Sequence, residues 1–371
     1  MGKILFIYGT RPEAIKMAPL ILEFKKSSKY ETRVCVTAQH REMMDQVNHF
    51  FQIVPDYDLN LMKPGQDLFD ITSLILVSLK FVLNEFEPDL IFVQGDTSTV
   101  LASALASYYK RIKLAHIEAG LRSDNIYSPF PEEMNRKLTS ALATFHFAPT
   151  LKAKENLNKE NIYDYVYVVG NTVIDALLAG LRIIKECDQE KYKNYFSYID
   201  FNKKIILATG HRRESFGLPF EEMCLAMRDI AVNNPDVQII YPVHLNPNVR
   251  KPVNEILSET KNVFLIEPLD YPSLIWLMDK SYLVLTDSGG IQEEAPTLGK
   301  PVLVMRDVTE RMEGIQAGVA RLVGTNRHVI LKNVQSLLIN ESEYLAMSCA
   351  INPYGDGTTA LQIRQIIDEI L

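Results

Sequence analysis

Short runs of β-branched and aliphatic residues alternate with longer stretches whose apolar positions recur every three or four residues. In the first half the strand candidates are Lys3–Tyr8, Arg33–Thr37, Leu90–Gln94, Lys113–Ile117, Phe145–Ala148 and Tyr165–Val169. Helical patterns lie between them at Pro12–Lys26, Asp67–Phe86 and Thr97–Tyr109. The pattern then restarts with Lys204–Thr209, Gln238–Tyr241, Val263–Ile266, Tyr282–Thr286, Pro301–Met305 and Arg321–Val323. Strand and helix taking turns is the signature of parallel α/β sheets. The fold class expected is therefore α/β, with two doubly wound parallel-sheet halves.

The first break in the pattern falls near Gly170-Asn171, followed by a helix through Leu181. The expected domains are 1–169 and 170–351. A last segment, 352–371, opens with the turn-rich Asn352–Gly357 and is expected to pack its helix, Thr358–Leu371, back on the N-terminal domain. A polar, weakly patterned stretch from Asp188 to Asn202 lies near the start of the second half. Two facing α/β domains leave a cleft at the carboxyl ends of their strands, where open sheets bind ligands. The strand-end loops are the place to look.

Bulk properties narrow the classes. The chain has 371 residues, too many for one ordinary core. Its net charge of −7 argues against a general nucleic-acid binder, without excluding a local basic pocket. Cys35, Cys187, Cys224 and Cys349 sit far apart with no metal or CxxC spacing. The longest apolar stretch, Ile71–Leu83, is broken by Ser73, Ser78 and Lys80, which reads as a core helix rather than a membrane span. The start, Met1–Gly9, lacks the length of a signal peptide, so a soluble cytoplasmic chain is expected.

The first strand ends in Gly9-Thr10-Arg11-Pro12-Glu13, with Lys16 one turn into the helix. Arg11 and Lys16 read either as solvated charge or as an anion site at a helix N-terminus. There is no Walker A sequence and no GxGxxG after that strand, which argues against a P-loop nucleotidase or a standard dinucleotide enzyme. In the second half a strand runs into Asp287-Ser288-Gly289-Gly290, with Glu294 about one turn later. This reads as a plain turn, or as a phosphate-approachable backbone with a carboxylate for a ribose diol. Asp96, before Thr97-Ser98-Thr99, suits a helix cap as well as a catalytic acid. Glu118 follows the apolar Leu114, Ala115 and Ile117, and a carboxylate at a buried strand end needs a partner or a job. Glu132 and Glu133 close the loop Ser128–Pro131. His211, opening His211-Arg212-Arg213 after a strand, suits phosphate binding or proton transfer. His244 resembles it by position, though a histidine satisfied within the fold fits equally. No HExxH or other metal spacing occurs, so no catalytic metal is expected.

Taken in order, GTRPEAIKMAPL (9–20), TAQHREMMDQV (37–47), GDTSTVLA (95–102), HIEAGLR (116–122) and YSPFPEEMNR (127–136) resemble the non-hydrolysing UDP-N-acetylglucosamine 2-epimerase family. The resemblance continues through GNTVIDAL (170–177), TGHRRESFG (209–217), YPVHLNPNVR (241–250), TDSGGIQEEAPTLGKPVLVMRDVTER (286–311) and NPYGDG (352–357). It implies a GT-B-like architecture, two Rossmann-like domains facing a central cleft that holds UDP, and a homodimer. It implies nucleotide contacts from Arg11, Lys16, Asp96, Glu118, His211, Ser288, Gly289, Gly290, Glu294 and Arg311. Asp96, Glu118 and Glu132, with His211, are implied as the catalytic groups. Some members hold a second, regulatory nucleotide sugar; the matching positions Gln39, Arg212 and His244 are kept, while Glu42 and Gly65 depart from the glutamine and arginine of those members.

The implied reaction interconverts UDP-N-acetylglucosamine and UDP-N-acetylmannosamine, for surface-polysaccharide synthesis. Carbon 2 bears no neighbouring carbonyl, so its proton is too weakly acidic for direct removal. If UDP leaves first, carbon 1 becomes oxocarbenium-like and the neighbouring proton becomes acidic. Its loss gives 2-acetamidoglucal, and protonation from the opposite face with return of UDP gives the epimer. This route calls for a diphosphate clamp and for acids on more than one side of the ring, and it requires no cofactor. Two other enzymes compete with it, a hydrolysing epimerase releasing free N-acetylmannosamine and a glycosyltransferase of the same architecture. A non-catalytic nucleotide-sugar sensor is the reading outside enzymes.

Overall fold

The computed structural model describes residues 1–38, 41–63, 65–187 and 189–371. The chain forms two compact units, Met1–Ala179 with Tyr354–Leu371, and Gly180–Pro353.

The first unit is built on seven parallel strands: β1 (Gly2–Tyr8), β2 (Tyr30–Val36), β3 (Tyr57–Asp58), β4 (Leu90–Gln94), β5 (Lys113–Ile117), β6 (Phe145–Ala148) and β7 (Val166–Val168). Their order is β3-β2-β1-β4-β5-β6-β7, so the winding reverses between β1 and β4. The helices are α1 (Arg11–Lys25), α2 (Arg41–Phe50), α3 (Leu68–Phe86), α4 (Ser98–Lys110), α5 (Glu132–Leu142), α6 (Leu151–Lys159) and α7 (Thr172–Cys187), the last running on into the second unit. The central strands are largely apolar, Ile4–Tyr8 in β1 and Leu90–Val93 in β4, because helices cover both faces. On one face Phe6 and Phe92 stack at 4.8 Å with Phe24 of α1 tilted against them. On the other, Leu5, Ile7, Ile91 and Val93 pack with Ile75, Leu79 and Val82 of α3 and Val100 of α4. The opposite face of α3 leaves Phe69, Val77 and Phe81 exposed.

The second unit repeats the plan with β8 (Lys204–Thr209), β9 (Val237–Pro242), β10 (Val263–Ile266), β11 (Leu283–Thr286), β12 (Val302–Val304) and β13 (Ala320–Leu322). Their order is β10-β9-β8-β11-β12-β13, and the reversal falls between β8 and β11. The helices are α8 (Gln189–Tyr195), α9 (Leu218–Asn233), α10 (Pro247–Leu257), α11 (Tyr271–Lys280), α12 (Gly289–Glu294), α13 (Met312–Gln316), α14 (Arg327–Ile339) and α15 (Glu341–Ser348). A final helix, α16 (Thr359–Ile370), lies in the first unit, where Arg364 pairs with Glu23 of α1 at 3.0 Å.

The twelve strand segments expected from the sequence are all strands here, with ends shifted by a few residues. The thirteenth, β3, has two residues, too few to show a period. The weakly patterned stretch after Cys187 is not plain loop: Tyr192 and Phe196 are buried and stack on Trp276, at 6.1 and 5.2 Å. Their burial depends on one distant tryptophan rather than on a periodic stripe. No described helix is long and apolar enough to cross a membrane.

Candidate active site

In each sheet a crevice opens where the winding reverses, because the two loops there turn to opposite faces. In the first unit those loops follow β1 and β4; in the second they follow β8 and β11. Most of the residues singled out from the sequence stand on these loops or on the strand beside them.

At the end of β1, Thr10 is the N-cap of α1, Arg11 opens the helix and Lys16 lies one turn on. The Lys16 ammonium forms an ion pair with the Glu118 carboxylate at the end of β5. Glu118 Oε2 also accepts from Gln94 Nε2 at 3.1 Å and from Asn171 Nδ2 at 3.2 Å. Its backbone has φ +66°, the left-handed region that a non-glycine residue enters at a cost of about 1–3 kcal/mol. A largely buried carboxylate, held in an unfavourable backbone state by three donors, is a built feature.

Asp96 follows β4 and Gly95. It does not cap α4; Thr97 does, its hydroxyl accepting from the Val100 amide. The Asp96 carboxylate is thereby left to Arg136, whose Nη2 approaches Oδ2 to 2.5 Å. Asn135 Nδ2 donates to the Asp96 carbonyl at 2.8 Å, and His116 Nε2 lies 2.7 Å from the Gly95 carbonyl. The neighbouring acids at the start of α5 differ. Glu133 is fully buried, accepts from the Ser123 amide and pairs with Arg136 at 3.2 Å. Glu132 Oε2 is buried with no hydrogen-bond partner among the described residues.

In the second unit the organising group is Asp287, fully buried at the end of β11. Its Oδ2 accepts from the His211 and Arg212 amides at 2.6 and 2.7 Å, joining the β8 and β11 loops. The His211 ring lies against Asp287 and stacks on His244 at 5.2 Å. Burial depresses the His211 pKa; Asp287 opposes that, while His244 and Arg212 add to it. Ser288 stands at the N-cap position of α12 without a side-chain cap bond, and its amide donates to Thr286 Oγ1. A Cβ at Gly289 would stand 3.3 Å from Glu310 Oε1, 3.6 Å from the Arg311 guanidinium and 3.7 Å from that of Arg212, so the bare backbone there lies close to an acid and two cations. Arg311 is held by Glu293 at 2.7 Å and by Glu310. Burial works against the Glu310 charge, yet Arg311 and Arg306 hold its pKa down to about 2. Glu294 is buried, accepting from Tyr271 Oη at 3.2 Å, and its Oε2 lies beside Gly290.

Arg11, Lys16, Asp96, Glu118 and Glu132 thus belong to the first unit, and His211, Arg212, His244, Ser288, Gly289, Gly290, Glu294 and Arg311 to the second. Gln39 lies outside the described residues. The sequence reading overlooked Glu13, Arg136, Asn171 and Asp287. Glu13 carried a signal, since Thr-x-x-Glu ahead of an apolar run is a capping pattern. Arg136 and Asn171 carried none, because their partners are 40 and 53 residues away. Among the described residues no group of histidines, cysteines and acids is placed to hold a metal ion.

The profile of the family described as UDP-N-acetylglucosamine 2-epimerase matches residues 22–368. The UDP-N-acetylglucosamine 2-epimerase of Escherichia coli K12 is 57% identical over 98% of both chains. A crystal structure of the Neisseria meningitidis UDP-GlcNAc 2-epimerase bound to UDP-GlcNAc is 49% identical, covers 99% of this chain and 100% of its own, and superposes with a TM-score of 0.92. The Methanocaldococcus jannaschii enzyme in complex with UDP-GlcNAc and UDP gives 33% identity, 99% coverage of both chains and a TM-score of 0.81.

Proposed function

The chain belongs to the UDP-N-acetylglucosamine 2-epimerase family, and on that premise we propose that it inverts carbon 2 of UDP-N-acetylglucosamine by eliminating UDP to 2-acetamidoglucal and adding it back. The observation that carries this reading is the setting of Glu118, at a strand end in a left-handed conformation with Lys16, Gln94 and Asn171 on one oxygen. Such a carboxylate is pre-aimed, as a group acting on a weakly acidic carbon must be.

Asp96, Glu118 and Glu132 divide removal of the carbon 2 proton, its return and stabilisation of the oxocarbenium-like charge. Glu132 presents a buried oxygen with no hydrogen-bond partner among the described residues, an acceptor left over for a substrate group. Asp96 is held in place by its ion pair with Arg136. Arg11, Lys16, His211, Arg311 and the 288–290 backbone bind and stabilise departing UDP, and Glu294 accepts from the ribose hydroxyls. Arg212 and His244, beside His211, are the described part of a candidate regulatory site.

The product supplies surface-polysaccharide synthesis in the cytoplasm, and the working form is a homodimer, which sedimentation at micromolar concentration tests. The reaction is tested by incubating the protein with UDP-N-acetylglucosamine in deuterated water and following carbon 2 by NMR. UDP-N-acetylmannosamine carrying deuterium at carbon 2 is expected. Free N-acetylmannosamine would place the chain among hydrolysing enzymes, and inversion without deuterium would overturn the elimination route.

A further inference from the structure

Glu13 sits in the first turn of α1, where a capping-box acid accepts from the backbone amide of the N-cap. One oxygen does that work: Oε2 accepts from the Gly9 amide at 2.9 Å and the Thr10 amide at 2.7 Å. Capping leaves two facts unexplained. The residue is only 2% exposed, and its other oxygen, Oε1, accepts from the Thr97 hydroxyl at 2.5 Å, 84 positions along the chain. A carboxylate that only caps a helix has no need of burial, which is costly unless fixed donors surround the charge. Burial does push the Glu13 pKa up, and the Thr97 hydroxyl and the two amides oppose it.

The single hydrogen of Thr97 goes to Glu13 Oε1, while its oxygen takes the Val100 amide at the start of α4. Thr97 is covalently next to Asp96. The loop of residues 95–97 is therefore gripped at each position: Gly95 by His116, Asp96 by Asn135 and Arg136, Thr97 by Glu13. The last grip leads to the start of α1, which carries Arg11 and Lys16, across the point where the winding reverses.

We infer that Glu13 is a positioning residue, a buried strut that through Thr97 fixes where Asp96 stands relative to the cations of the β1 loop. The inference rests on the proposed reaction, in which those cations hold the leaving diphosphate while Asp96 faces the sugar. A strut between them sets the register of the two events without touching either ligand.

The test uses three variants of the full-length protein: Thr97→Val, Thr97→Ser and Glu13→Gln. Thr97→Val loses both the strut and the α4 cap; Thr97→Ser keeps both; Glu13→Gln keeps the cap but turns an N–H toward the threonine hydroxyl. Misplacement of an acting group by about 1 Å lowers kcat by about a hundredfold, and that loss is expected in Thr97→Val and Glu13→Gln. UDP affinity by calorimetry should stay within about threefold of the parent, as befits an interaction expressed in the transition state. Thr97→Ser should restore kcat. Hydrogen exchange at the Gly9–Arg11 amides should quicken in Thr97→Val, the signature of coupling between the loops. Loss of kcat in Thr97→Val alone would assign the effect to the helix cap and overturn the strut. Parent-like kcat in Glu13→Gln, or unchanged exchange at 9–11 in Thr97→Val, would overturn it as well. If the parent protein does not turn over UDP-N-acetylglucosamine, the proposed reaction fails, and the exchange experiment still decides whether the loops are coupled.

Discussion

Three acids in the first unit face different surroundings, and those surroundings set what each can do. Glu118 is pinned by three donors, Asp96 is paired with Arg136, and Glu132 keeps a buried oxygen without a partner among the described residues. Carboxylates held in surroundings this different are suited to divide the proton transfers of one site between them. Replacing any one by its amide preserves shape and removes the proton chemistry. Asp96→Asn, Glu118→Gln and Glu132→Gln should each lower kcat by about 10²- to 10⁴-fold, the usual contribution of general acid–base catalysis, with UDP binding by calorimetry largely kept. Parent rates in all three would refute the carboxylate assignment. The Asp96 position was legible in the sequence as a polar residue between a strand and a helix. Its role was not, because capping by Asp96 and capping by Thr97 look the same until the Val100 amide is seen to choose Thr97.

Strand and helix ends show how closely these elements are fitted. Gly120, just past β5, has φ +90°, and a Cβ there would lie 2.2 Å from the Ala153 carbonyl of α6. Gly120→Ala meets backbone that cannot yield, so a loss of about 2 kcal/mol or more, in the range of overpacking, is expected in denaturant unfolding; an unchanged midpoint would contradict the close approach. Neighbouring strands β5 and β6 place His116 opposite His146 in register. Burial is the main cause that lowers the His116 pKa from 6.5 to about 3 and that of His146 to about 4, with Arg122 adding to both. The folded chain holds both rings neutral while the unfolded chain protonates them below 6.5. Their contribution is therefore whole above that pH and is lost as pH falls toward 4 and then 3. By linkage each costs about 2 kcal/mol between pH 7 and pH 5. Unfolding free energy measured across that window should drop accordingly, and His146→Gln should remove about half of the slope. A flat profile would show that the rings charge within the fold.

The chain as a whole passes from the first unit to the second within α7 and returns at Tyr354, so the last helix completes a unit begun at residue 1. Ala360, Ile363 and Ile367 are buried there, the Thr359 hydroxyl donates to the Val169 carbonyl, and the Ala360 amide donates to Asp175. Ending the chain at Pro353 strips two buried isoleucines from the first unit, a loss of roughly 3–6 kcal/mol at 1.5–3 kcal/mol per side chain. Calorimetry should show its transition lowered or absent, and an unaltered profile would deny α16 that part. The sequence by itself determined the alternation of strands and helices, the two parallel sheets and the gathering of acids, cations and glycines at strand ends. These are set by residues within a few positions of one another, through side-chain period and turn chemistry. The tertiary structure alone decided which oxygen meets which donor. Lys16 and Asn171 reach Glu118 across 102 and 53 residues, and Arg136 takes the charge of Asp96. No local pattern encodes such pairings, because they exist only once separate strands lie side by side and their loops share one end of the sheet.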